Sequence, residues 1–211
     1  MGIDLTWIHH ASFRIASDQG VLYIDPWKLE DHRHDADVIF VSHSHYDHCS
    51  PEDIARVSQD GDQTAIVAPA ETISKLAAAN AATPGDSLYL KDIQVEAVAA
   101  YNVSKAFHPQ QNNWIGAVFT VADRRIYYAG DTDLIPEMND LQDIDVALLP
   151  VGGTYTLDAD QAAKAAKTID CRIAIPYHWG DIVGDIADAQ RFVAALPGRG
   201  RLLQPGESMT F

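Results

Sequence analysis

Three times in this chain of 211 residues a short apolar run ends directly in a polar motif rich in histidine or aspartate. Val38-Ile39-Phe40-Val41 leads into His43-Ser44-His45-Tyr46-Asp47-His48. Ile126 to Ala129 leads into Gly130-Asp131-Thr132-Asp133, and Arg172 to Ile175 into Pro176-Tyr177-His178-Trp179-Gly180. Short β-branched apolar runs predict buried strands, so each motif is expected where a strand leaves its sheet. A chain built this way is an α/β protein with its polar chemistry gathered at strand ends.

The remaining pattern fills in that plan. Ile3 to Trp7, Ser12 to Ile15 and Val21 to Asp25 predict a meander, with the turn Ser17-Asp18-Gln19-Gly20 between the last two. Ser50-Pro51-Glu52-Asp53 places an N-cap, a proline at the first helical position and an early acid, so a short helix starts there. Ala65 to Ala68 predicts a strand and Ala70 to Ala79 an alanine-rich helix. Thr83-Pro84-Gly85-Asp86 predicts a turn before strands Ser87 to Leu90 and Ile93 to Ala100. Further strands are expected at Ile115 to Val121, Arg125 to Ala129, Asp145 to Leu149 and Arg172 to Ile175. Helices are expected at Ala159 to Ile169 and Ile186 to Leu196, and an edge strand within Gly206 to Phe211. No Pro-, Gly- or Ser-rich linker divides the chain, so residues 1–211 are read as a single domain.

The spacing of the first motif carries the chemistry. Residues two apart in an extended segment point the same way, so His43 and His45 can face one cation while Asp47 and His48 turn towards a second. Asp131, held at a strand end, can bridge two cations whose mutual repulsion a shared anion reduces. His178 would complete the second site. The only histidine between His48 and His178 is His108, in Ala106-Phe107-His108-Pro109, and it is preferred as the third ligand of the first site; Asn102 is the alternative occupant. His10 is a candidate for a substrate or supporting role, with His9 a weaker one. Tyr155 and Thr156 are candidate donors to a developing oxyanion. Asp25, before Pro26, is a candidate to orient a ligand histidine. His32 and His34 are read as solvent-facing, Cys49 as a small buried group, and exposed aromatics near Trp114 or Trp179 as a pocket wall or dimer contact.

Charge narrows the partners. With 15 Lys+Arg against 30 Asp+Glu the formal charge is −15, which repels phosphate backbones and anionic lipid. Neither nucleic acid nor a membrane is expected as a partner; a small-molecule substrate is, and the oligomeric state is left open. Two cysteines make no disulfide framework, and no basic-apolar leader or membrane-length apolar run is visible, so a cytoplasmic setting is expected.

The ordered set HSHYDH, GDTD and PYHWG resembles the metallo-β-lactamase superfamily. Thr6-Trp7-Ile8-His9-His10-Ala11-Ser12-Phe13, Tyr23-Ile24-Asp25-Pro26-Trp27 and Pro150-Val151-Gly152-Gly153-Thr154-Tyr155-Thr156 narrow it to the small metal-dependent hydrolases similar to ascorbate-phosphate lactonases. The resemblance implies a four-layer αββα sandwich with a metal centre at one edge between two sheets. It expects a third histidine for the first metal at the slot that here reads Ala100-Tyr101-Asn102. The expected activity is hydrolysis of a small ester, lactone or phosphoester by a metal-bridging hydroxide at a binuclear centre, with Asp47 or water protonating the leaving group. The expected cofactors are two divalent ions, zinc before manganese or iron. A carbohydrate-like lactone or phosphate ester is the favoured substrate. The alternative is a metal-binding or interaction module that has lost activity. Di-iron redox chemistry on the same fold is disfavoured, because His45 is not a carboxylate and the chain is too short for an added flavin domain.

Overall fold

The computed structural model describes residues 2–76 and 79–211. The first sheet contains β1 (Asp4–His9), β2 (Ser12–Ser17), β3 (Gly20–Ile24), β4 (Val38–Phe40), β5 (Ala65–Pro69) and β6 (Ala79–Ala82). The second contains β7 (Ser87–Leu90), β8 (Ile93–Ala99), β9 (Ile115–Val121), β10 (Arg124–Tyr128), β11 (Val146–Pro150) and β12 (Ile173–Tyr177). β13 (Ser208–Thr210) returns to the first sheet beside β1, giving the orders β13-β1-β2-β3-β4-β5-β6 and β12-β11-β10-β9-β8-β7. Among the described residues three α-helices flank them: α1 (Pro51–Val57), α2 (Ala159–Ile169) and α3 (Ile186–Ala194).

The sheets face each other across an apolar core. Phe40 meets Phe119 edge-on at 5.2 Å, Phe13 meets Tyr177 at 5.6 Å, and Tyr128 stacks on Tyr177 at 5.0 Å. All five of these rings are fully buried, and each contributes roughly 1.5–3 kcal/mol by burial. A second apolar cluster covers the outer face of the first sheet, where Ile54 and Val57 of α1 pack with Tyr23, Ile39 and Val41. Helices α2 and α3 pack on β11 and β12 outside the second sheet. The layers are therefore helix, sheet, sheet, helix: the αββα sandwich.

The helices start where the sequence provides caps. Ser50 accepts from the Asp53 amide, as its motif predicts. Asp158 with Gln161, and Asp185 with Asp188, form capping boxes for α2 and α3. One predicted helix is absent. Instead of a helix over Ala70 to Ala79 there is a single 3₁₀ turn, Ile73–Lys75, and Ala79 already begins β6, parallel to β5; Ala77 and Ala78 lie outside the described residues. Alanine favours helix in isolation, but pairing to an open sheet edge outweighs that preference. The aromatics expected to be exposed, Trp114 and Trp179, are buried instead.

Strand direction locates the site. β1, β3 and β4 run parallel within the first sheet, and β8, β10, β11 and β12 within the second. Each motif follows the carboxyl end of one of these strands. The Ile115 amide donates to the Ser42 carbonyl at 3.2 Å, tying the two sheets together beside the first motif.

Candidate metal centre

Six strand ends deliver the cluster. β4 leads to His43, His45, Asp47 and His48, β10 to Asp131, and β12 to His178. β1 ends beside His10, β3 beside Asp25, and β8 leads into the loop that carries His108. Three of these residues have left-handed backbones: His10 at φ 50°, Asp25 at 43° and His178 at 62°. Non-glycine residues hold that conformation only where surrounding structure imposes it, here by turning the chain sharply at the sheet edge. The His178 amide donates to the His10 carbonyl at 3.1 Å, binding two of these turns to each other.

The ligand atoms form overlapping groups, each within 4.8 Å: His43, His45 and His108; His10, Asp47, His48 and His178; and His43, His48 and Asp131. Asp131 joins them. Its Oδ1 lies 3.4 Å from His48 Nε2, and its Oδ2 lies 3.3 Å from His108 Nε2 and 3.2 Å from His178 Nε2. Of these residues all but His45 are buried. His48 Nε2, His108 Nε2, His178 Nε2 and Asp131 Oδ1 nonetheless have no hydrogen-bond partner. Buried polar atoms without partners are costly and rare, and a divalent cation is the ligand that such a convergence of imidazole nitrogens and carboxylate oxygens fits.

A buried network fixes these side chains. Asp25 accepts from the Ser42 amide at 2.7 Å, Ser42 Oγ at 2.5 Å, Tyr128 Oη at 2.6 Å and His48 Nδ1 at 2.7 Å. The last bond leaves Nε2 of His48 to face Asp131, the arrangement by which an outer carboxylate orients a metal-ligating histidine. His10 Nε2 lies 3.2 Å from Asp47 Oδ2, and its ring packs 4.0 Å from His178. Asn102 accepts from the His108 amide at 3.0 Å and donates to Asp133 and the Tyr155 carbonyl. Asn102 thus braces the loop, while the His108 ring joins His43 and His45. Asp133 receives Lys105 as well and stays outside the cluster.

Electrostatics favour ligating forms at most positions. Burial lowers His43 well below the usual imidazole range and His10 to about 4, so both are neutral at neutral pH. Burial alone would raise Asp131, but His178, His48 and His108 hold it well below the carboxylate range. Burial would likewise raise Asp47, and His10 with His48 brings it down to about 2. His48 goes the other way: burial is outweighed by Asp131 and Asp25, which favour a proton on it. A metal at Nε2 must displace that proton.

Sequence offers aromatics near Trp114 only as a pocket wall or a dimer contact, and the structure sets Trp114 against the cluster. Its indole packs 4.8 Å from His43, 4.9 Å from His45 and 5.5 Å from His108, and its Nε1 donates to Glu71 at 2.5 Å. The one available signal is its place just before β9. Ser42 and Tyr128 had no signal at all, since a serine after an apolar run and a tyrosine within one are ordinary. His9 stacks on Trp27 at 5.8 Å and pairs with Asp181, outside the cluster. His32 and His34 are exposed, and Cys49 is buried. Tyr155 is half-buried, edge-on to Phe107 at 4.7 Å, and Thr156 is buried with its hydroxyl donating to the Leu157 carbonyl.

Comparison with known proteins gives a family match over most of the chain. The beta-lactamase superfamily domain matches residues 4–178. A UPF0173 metal-dependent hydrolase of Thermoplasma acidophilum is 33% identical over 206 residues, covering 91% of this chain and 90% of its own. One from Hyperthermus butylicus is 31% identical over 228 residues, covering 97% and 98%. A solved protein of Parabacteroides distasonis is 34% identical, with a TM-score of 0.85 over 96% of this chain and 94% of its own. With its motifs, its sheet order and the buried His/Asp cluster at the sheet edge, this chain belongs to the metallo-β-lactamase superfamily.

Proposed function

We propose that the chain is a metal-dependent hydrolase of a small ester, lactone or phosphoester, with a binuclear centre. The observation that carries this is the convergence of three unpartnered, buried imidazole nitrogens on Asp131. His43, His45 and His108 would hold one cation, Asp47, His48 and His178 the other, and Asp131 both. The ligand chemistry suits zinc first, with manganese or iron as alternatives. Bound there, divalent ions supply a Lewis acid and a water acidified towards neutrality.

The protein's own groups do the rest. Asp47 Oδ2 sits at the edge of the cluster and carries the proton from the attacking water to the leaving oxygen. His10 keeps that carboxylate turned inward through its Nε2 contact. Tyr155, half-buried on a neighbouring loop, is the residue to which we assign donation to a developing oxyanion. Buried walls from Trp114 and Trp27 exclude bulk water, which strengthens each of these interactions. The acidic surface disfavours polyanionic substrates. No helix among the described residues is long and apolar enough to cross a membrane, and the two free, buried cysteines support a reducing, cytoplasmic setting.

The test is turnover of simple lactones and bis(p-nitrophenyl) phosphate by zinc- or manganese-loaded protein, beside Asp131→Ala. At least one substrate should be hydrolysed, with kcat/KM reduced on the order of 100-fold or more in the variant. No turnover at any metal loading, or an unaffected Asp131→Ala, contradicts the proposal.

A further inference from the structure

Exposed apolar side chains are concentrated on the loops that carry the candidate centre's histidines. Among the described residues five large apolar side chains are exposed, and three of them, Tyr46 (67%), Val103 (65%) and Phe107 (47%), lie on the two loops that carry the cluster's histidines. Tyr46 stands between His45 and Asp47, and Phe107 immediately precedes His108. Both have an aromatic neighbour. Tyr46 meets Trp27 edge-on at 5.9 Å, and Trp27 in turn meets His10 at 5.2 Å, beside His178. Phe107 meets Tyr155 at 4.7 Å, and the Tyr155 carbonyl accepts from Asn102, the residue bracing His108. Two aromatic pairs thus lead inward, one to each group of ligand atoms.

The nearby cations are already engaged. Lys75 Nζ donates to the Ser44 carbonyl at 2.7 Å, and Lys105 Nζ to Asp133 at 2.5 Å and the Thr156 carbonyl at 2.6 Å. Lys28 Nζ pairs with Asp181 at 2.6 Å and sits 4.3 Å over the Trp27 ring. Away from the metal ions themselves, a phosphoryl or carboxylate group on the substrate would need a cation released from such a pair. A neutral group with apolar surface needs only the exposed rings, and exposed aromatics beside a polar centre are what such a ligand would cover.

We propose that the aromatic mouth selects neutral substrates, an ester or lactone bearing an alkyl or aryl group beside the scissile bond, over phosphorylated or sugar-acid substrates. This rests on the hydrolase reading above. In the reaction, the water oxygen bonds to the acyl carbon, the C–O bond to the leaving group breaks, and the water proton goes to the leaving oxygen. The alkyl or aryl group lies against Tyr46 or Phe107 and takes no part in the chemistry.

Two series measured on zinc-loaded protein separate this inference from the reading it rests on. In the first, kcat/KM is measured for p-nitrophenyl acetate, butyrate and hexanoate and for a phosphorylated lactone. In the second, the Kd of aceto-, butyro- and hexanohydroxamate is measured by tryptophan fluorescence, without turnover. The expected result is a gain of about two- to fourfold per added methylene in both series, the upper end being full burial. Phe107→Ala and Tyr46→Ala should flatten the slope mainly through KM, and the phosphorylated lactone should be the poorest substrate. Flat hydroxamate affinities, or preference for the phosphorylated lactone, overturn the inference. If hydroxamate affinity rises with length but no ester is hydrolysed, the mouth stands and the hydrolase reading falls. Flat affinities together with a dimer that Phe107→Ala dissociates would assign the patch to a second copy of the chain, and the inference falls.

Discussion

Asp25 has no exposed surface, and its carboxylate receives four hydrogen bonds. An amide in its place would turn an N–H₂ donor towards groups that are themselves donors, leaving at least one of Ser42, Tyr128 and His48 unpaired. Asp25→Asn should therefore lower unfolding free energy by about 2–4 kcal/mol, read from urea denaturation; an unchanged midpoint contradicts the network. At this scale much of the site is legible from sequence, because His43, His45, Asp47, His48, Asp131 and His178 fall in motifs placed by the preceding strand. His108 is less so: its ring reaches the cluster through a loop braced by Asn102 and Lys105, and spacing alone does not fix a loop's path. Ser42, Tyr128 and Trp114 are not legible, because their roles arise from contacts between sheets.

Among the elements, β9 and β10 carry the tightest constraint. A methyl group on Gly116 would meet the carbonyl oxygen of Tyr128 and that of Ala129, the latter at 2.7 Å, and backbone cannot swing aside as a side chain can. Gly116→Ala should destabilise the protein by roughly 2–3 kcal/mol or more and displace Asp131 at the end of that segment. Equal urea midpoints for variant and parent would refute the pairing of Gly116 opposite this turn. The strands were legible because apolar alternation and buried runs survive any packing, and β11 is buried throughout as its sequence predicts. The segment Ala70 to Ala82 was not, because alanine suits either a helix or a sheet edge and only the exposed edge of β5 decides between them.

For the molecule as a whole, high pH works against the fold. Burial pushes the Cys171 thiol up from 9.0 to about 11, and burial also raises Tyr127, whose hydroxyl is enclosed without a partner. The folded chain then keeps protons that the unfolded chain releases, so stability is fully present below pH 9 and is lost as pH rises through 11. Cys171 alone contributes about 2 kcal/mol of that loss. Urea midpoints should fall between pH 8 and pH 10.5, less steeply in Cys171→Ala; a flat profile would contradict the burial of these groups. At this scale the sandwich is legible only through the family resemblance that the ordered motifs carry, while the aromatic mouth is not legible, since it depends on which loops meet once the sheets stack.

Hydrolysis at this cluster requires that the converging histidines hold metal. The direct measurement is metal content per chain by elemental analysis, on protein purified without added metal or an affinity tag, beside His108→Ala and Asp131→Ala. Two equivalents in the parent, falling towards one in His108→Ala and below one in Asp131→Ala, is the predicted result. Zero or one equivalent in the parent, unchanged in both variants, would contradict a binuclear centre built on these residues.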